Sequence, residues 1–279
     1  MANGDSRTRS IPVGGVELSY TERGKGSAVL LVHGSNVDCR VWADHGDILS
    51  PRYRVIALTQ RYCGASAWPD DGRNFSIQRH ADDLAAFTAA LKLEPVALVG
   101  WSYGAAVCLA MATQHARLVE RLFLYEPALA TFVRDRSAAQ AATDDRLKMT
   151  DAAKAEAGSG TLERAIELFM DGVNDSEGAF RRLPAAVQTM MRQNARMLPL
   201  LFAAPPPSVA CEDLGRLRMP VTVALGQDSR AFYQIACTWA ARCIPGAQLK
   251  TVPDARHLWP IENPPAFSKL VLEFLEKSM

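Results

Sequence analysis

Five short stretches of the chain are almost wholly apolar and are bounded by turn residues: 28–33, 54–58, 95–100, 122–125 and 220–225. Runs of that length without alternation predict strands covered on both faces. Residues 16–22 alternate instead, which predicts an edge strand, and 248–253 read as the last strand. Between these runs the period changes. In 77–91 the apolar residues Ile77, Ala81, Leu84, Phe87 and Leu91 recur close to helical spacing, with Ser76 placed to cap the first turn. Residues 105–115 are small and apolar, as in a helix packed tightly on a sheet, and 264–276 open with proline in the first turn. Strands alternating with helices predict an α/β fold with a doubly wound, mostly parallel sheet.

Residues 129–210 break that rhythm. They hold helix-like stretches at 162–173 and 180–202, no convincing strand, and a Pro205-Pro206-Pro207 tract before the next apolar run. The expected organisation is an α/β core of residues 1–128 and 211–279, with a helical cap inserted at 129–210. No internal repeat or low-complexity tract interrupts it.

Composition narrows the function classes. Of 279 residues, 48% are hydrophobic and 22% charged, which fits a globular chain and argues against disorder. The net charge is +1, from 31 basic and 30 acidic residues, and no basic tract occurs, so nucleic acid is not an expected partner. No apolar run approaches the roughly 20 residues needed to span a bilayer. Residues 1–10 are polar and lack a signal-peptide core. The cysteines Cys39, Cys63, Cys108, Cys211, Cys237 and Cys243 are scattered, with no metal-ligand spacing, and read as reduced, mostly buried thiols. The expectation is a cytoplasmic protein with a small-molecule substrate and no cofactor or metal. The sequence leaves a homo-oligomer open.

The chemistry starts at Gly100-Trp101-Ser102-Tyr103-Gly104, a G-x-S-x-G motif lying between a strand and a helix. That context makes a tight turn that presents the serine oxygen at the end of the sheet, beside a helix N-terminus. The flanking glycines let neighbouring backbone approach closely. Serine is a weak nucleophile and needs a base. Enzymes built on such a turn run nucleophile, acid, base along the chain. Among His33, His45, His80, His115 and His257, only His257 follows Ser102 and any plausible acid.

The segments Leu31-Val32-His33-Gly34-Ser35, Leu98-Val99-Gly100-Trp101-Ser102-Tyr103-Gly104 and His257-Leu258-Trp259-Pro260-Ile261-Glu262-Asn263-Pro264 together resemble the α/β-hydrolase superfamily. The resemblance runs from about residue 16 to 274 and is weakest across the cap. It implies an acid three residues after the glycine that ends the 220–225 run. That position is Ser229, and Asp228 stands one residue early. Branches of the superfamily place a glutamate at the end of the preceding strand instead, which here is Glu126. Glu126 is therefore the preferred acid and Asp228 the alternative. The resemblance also implies an oxyanion hole from the backbone amides of Ser35 and Tyr103, with Asn36 next in line and His33 structural or pocket-lining.

An ester or lactone of a small, mainly apolar compound is the expected substrate, cleaved through an acyl-enzyme. Serine at the nucleophile position argues against the relatives that use aspartate there, the dehalogenases and epoxide hydrolases. Thioester, amide and C–C cleavage, acyl transfer and lyase or cofactor-free oxygenase chemistry stay open, as does a non-catalytic small-molecule receptor. Cys63 is a poor rival nucleophile. Trp42, Trp101 and Trp259 are as apt to be packing as pocket wall. The Met190, Met191, Met197, Leu198, Leu201 and Phe202 stripe favours cap core over substrate wall.

Overall fold

The computed structural model describes residues 8–68 and 70–276, so residues 1–7 of the polar N-terminal stretch lie outside the described residues. In chain order the elements are β1 (Arg9–Val13), β2 (Val16–Arg23), β3 (Ala28–Val32), α1 (Ala43–Leu49), β4 (Arg54–Leu58), α2 (Ile77–Ala90), β5 (Val96–Trp101), α3 (Tyr103–Gln114) and β6 (Val119–Tyr125). Then come α4 (Arg136–Gly158), α5 (Leu162–Asn174), α6 (Ala179–Arg182), α7 (Ala185–Gln193), α8 (Leu198–Ala203) and α9 (Cys211–Leu214). The chain closes with β7 (Val221–Gly226), α10 (Ala231–Cys243), β8 (Gln248–Val252), α11 (Trp259–Glu262) and α12 (Pro264–Leu275).

The strands form one sheet in the order β1-β2-β4-β3-β5-β6-β7-β8, in which only β2 runs against the rest. This is the doubly wound, mostly parallel sheet expected from the alternation of runs. Period two divides each central strand between two cores. Leu30 and Val32 join Leu98, Leu122 and Val223 beneath α2 and α3. Val29 and Leu31 join Val99, Phe123 and Ala224 against α1 and α12. Both faces are covered, which is why these strands read as unbroken apolar runs.

Three elements differ from the sequence reading. β1 was not expected: its five residues are mostly exposed and join the sheet through backbone pairing with β2, across the Gly14-Gly15 turn at positive φ. The 180–202 stretch is not one helix but α6, α7 and α8. Leu183 before Pro184 is extended, and Pro199 opens α8, so proline geometry divides the run. The 23-residue α4 carries many charges and buries only Ala142, Met149, Thr150 and Ala153, so its periodicity was weak.

The cysteine expectation is also corrected. Cys211 at the start of α9 and Cys243 at the end of α10 form a disulfide, 32 residues apart in sequence with Cα atoms 5.2 Å apart. Sequence spacing alone does not give connectivity. The other four cysteines are free and buried. A disulfide removes the thiol argument from the cytoplasmic expectation. Among the described residues no helix is long and apolar enough to cross a membrane.

Candidate active site

β5 ends at Trp101 and α3 begins at Tyr103, leaving Ser102 alone in the turn at φ 56°, ψ −118°. That strained conformation is held from several sides. The Ser102 amide donates to the Tyr125 carbonyl at 2.9 Å, and its own carbonyl accepts from Ala106 and Ala128 at 3.1 Å. A Cβ on Gly104 would lie 2.3 Å from the Val32 and His33 carbonyl oxygens, and one on Gly100 would lie 2.6 Å from the Ala105 Cα. Both glycines are thus required by close backbone approach, which lets β5, α3 and the end of β3 meet at one point.

His257 sits in the loop between β8 and α11, and its Nε2 is 2.9 Å from the Ser102 Oγ. The Trp101 indole donates to the His257 carbonyl at 3.0 Å, and the Tyr125 hydroxyl donates to the Arg256 carbonyl at 2.8 Å. From α5, the Asn174 side chain accepts the Leu258 amide at 2.9 Å. The helical segment between β6 and β7 therefore helps to fix the histidine loop.

Glu126 is fully buried directly after β6, at φ 47°. Its Oε2 accepts from His257 Nδ1 at 2.7 Å. Its Oε1 accepts from the Gly226 amide at 2.7 Å and from the Ser229 hydroxyl at 2.5 Å. Three donors satisfy a carboxylate whose burial would otherwise be costly. Ser229, the position where the resemblance implies an acid, thus binds the carboxylate that comes from the neighbouring strand. Asp228 is exposed, and its side chain has no hydrogen bond or ion pair among the described residues. Its one-residue offset turns it away from the histidine, so the structure does not bring this alternative to the site.

The Ser35 and Tyr103 amides have no acceptor among the described residues, and both residues line a cavity with Ser102 in its wall. Asn36, at φ 61°, is committed elsewhere: its amide meets Met197 Sδ at 3.5 Å and its Nδ2 donates to the Asn194 carbonyl at 3.2 Å. His33 is structural. Its Nε2 accepts the Gln60 amide at 3.0 Å, and burial lowers its pKa, keeping it neutral. Burial pushes the Cys63 thiol up, away from the reactive thiolate form.

The cavity measures about 530 Å³ and is mostly apolar, lined by α4, α5, α8, the proline tract and the start of α10. Leu201 and Phe202 face it, whereas Met190, Met191, Met197 and Leu198 are buried in the core. None of the three tryptophans lines it. Trp42 packs on Trp101 and Phe267, and Trp259 packs on Tyr125.

One residue escaped the sequence reading altogether. The Tyr233 ring on α10 stacks on the His257 imidazole, with centroids 4.0 Å apart and planes 10° from parallel. Its hydroxyl meets Met149 Sδ at 3.6 Å. Burial holds this phenol well above its ordinary pKa, reinforced by the Glu126 carboxylate. The apolar spacing of Phe232, Tyr233, Ala236 and Cys237 marks a buried helix face, but nothing local to it signals a histidine above the ring.

Residues 29–270 match the model of the alpha/beta hydrolase family. The first curated relatives align over about two fifths of their own length, 41–43%. One is the 2-hydroxy-6-oxo-6-(2'-aminophenyl)hexa-2,4-dienoic acid hydrolase of Metapseudomonas resinovorans, 35% identical over 120 residues, 42% of this chain and 41% of the relative. The 2-(acetamidomethylene)succinate hydrolase of Mesorhizobium japonicum is 26% identical and aligns over 96% of this chain and 95% of its own. Among solved structures, a thermophilic esterase of Thermogutta terrifontis superposes with a TM-score of 0.72 at 24% identity, covering 96% of this chain and 98% of the other.

Proposed function

The chain belongs to the alpha/beta hydrolase family, and from that premise we propose that it is a serine hydrolase cleaving an ester or lactone bond of a small, mainly apolar organic substrate. The observation that carries this is the continuous relay from Ser102 Oγ through His257 to Glu126, at 2.9 and 2.7 Å. Those separations lie within hydrogen-bond reach, the requirement for proton transfer from nucleophile to base and for orientation of the base by the carboxylate.

Ser102 Oγ bonds to the acyl carbon as its proton passes to His257 Nε2. The substrate oxygen, now negative, is received by the Ser35 and Tyr103 amides. Losing one such donor would cost about 3 kcal/mol of transition-state stabilisation. His257 then gives its proton to the leaving oxygen, and the C–O bond breaks. Water repeats the sequence on the acyl-enzyme: its oxygen bonds to the acyl carbon, its proton passes through His257, and Ser102 regains its hydrogen as the acid leaves. Glu126 holds the imidazole with Nδ1 protonated, so that Nε2 faces the serine as a base. A cavity of about 530 Å³ suits a ligand of small-molecule size.

The test is a fluorophosphonate probe followed by intact-mass analysis. One adduct is expected on the wild type and none on Ser102→Ala, with p-nitrophenyl ester hydrolysis lost in parallel. An unlabelled wild type that binds the same ligands as Ser102→Ala would replace this reading with a small-molecule receptor.

A further inference from the structure

Resting on the hydrolase reading, we propose that the substrate carries a second, anionic group, a carboxylate at the far end of an apolar body, received by Arg146 and Lys154. Both residues line the cavity from α4, on the same wall as Thr143 and Thr150. They lie eight residues apart, so about 12 Å of helix separates them along one side of the chamber. Neither has an ion pair or side-chain hydrogen bond among the described residues.

The charges of α4 are sorted about this wall. Its acids Asp144, Asp145, Asp151 and Glu156 do not line the cavity, and no other carboxylate among the described residues does. Asp145 is half-buried against α10, where it holds Arg230 at 2.7 Å and accepts the Phe232 amide at 2.9 Å, while Asp144 accepts from Gln140 at 2.7 Å. The remaining wall is apolar or hydroxyl-bearing, so a ligand between Ser102 and α4 meets positive charge only. Both cations are exposed to solvent, so water and salt screen them. Two such contacts fit a preference of about tenfold, not a thousandfold.

The experiment compares mono-p-nitrophenyl adipate and suberate with their methyl-capped diesters, which match them in shape and lack the charge. For the wild type, kcat/KM for the free acids should exceed that for the capped esters by about tenfold at low salt, and the ratio should shrink as ionic strength rises. In Arg146→Gln/Lys154→Gln the ratio should fall to about one, and in Arg146→Glu it should invert. An unchanged ratio in the double variant would overturn the proposal. In parallel, calorimetry with Ser102→Ala should show monomethyl suberate binding about tenfold more tightly than dimethyl suberate. Binding without that preference also overturns it, whatever the turnover. If the binding preference holds while the wild type hydrolyses neither ester, the hydrolase reading fails and the anion site stands.

Discussion

Replacing Glu126 with glutamine should disable the site almost completely while leaving the fold in place. The carboxylate takes Gly226 N–H and Ser229 O–H on one oxygen and His257 Nδ1 on the other. An amide has only one acceptor oxygen. The Gly226 amide is fixed by the backbone and can only donate, so the glutamine oxygen must stay there. Its NH2 group then faces His257 Nδ1, which must accept, and the imidazole proton moves to Nε2. Nε2 then donates toward Ser102 Oγ at 2.9 Å and can no longer remove its proton. An inverted tautomer of this kind costs about 10³–10⁴ in kcat, roughly 4–5.5 kcal/mol of barrier. Initial rates on p-nitrophenyl butyrate measure the loss, and a thermal melt checks that the variant folds. Asp228→Asn, at an exposed side chain, should stay within about twofold. Less than tenfold loss in Glu126→Gln, or equal losses in both variants, would refute the assignment of Glu126 as the acid.

Two further outcomes follow from buried rings. The Tyr233 ring lies parallel to His257 at 4.0 Å, where an aromatic face would stabilise the imidazolium of the proposed acyl transfer by about 1–2 kcal/mol; Tyr233→Leu should lose about tenfold in kcat and Tyr233→Phe less than threefold, and equal losses would show that the hydroxyl, not the face, matters. Burial depresses His45 to a pKa of about 4, so the unfolded chain binds this proton first and the contribution is complete above pH 6.5 and lost as pH falls toward 4. At pH 5 the loss amounts to on the order of 2 kcal/mol. Urea unfolding at pH 7 and 5 should show a correspondingly smaller pH effect in His45→Phe, and an identical effect would sink the argument.

What the sequence made legible was whatever had a local cause. The strands were readable because burial on both faces leaves unbroken apolar runs, and Ser102 was readable because its turn demands Gly100 and Gly104. His257 followed from chain order and from its Glu262-Asn263-Pro264 sequel. α4 was not, since a helix that buries four residues and exposes charges on the rest has little period to detect. The Cys211–Cys243 pair, the Asn174 prop under the histidine loop and the Tyr233 stack were invisible for one shared reason. Each joins elements distant in sequence, and neither partner looks unusual alone.

Glu126 lies between those two cases, and its place explains why an absence could be informative. β6 and β7 are neighbours, with Tyr125 beside Ala224, and the Glu126 amide donates to the Ala224 carbonyl at 3.0 Å. A carboxylate leaving the end of either strand therefore enters the same space beside His257 Nδ1. Serine at 229 is too short to reach the imidazole, but its hydroxyl can complete the shell of a carboxylate that does. The two positions are thus complementary: if one supplies the charge, the other is free to supply a donor. A missing aspartate at 229 then acts as a pointer toward the adjacent strand end, because the imidazole must still be oriented by something, and among the described residues Glu126 is the buried carboxylate that reaches it.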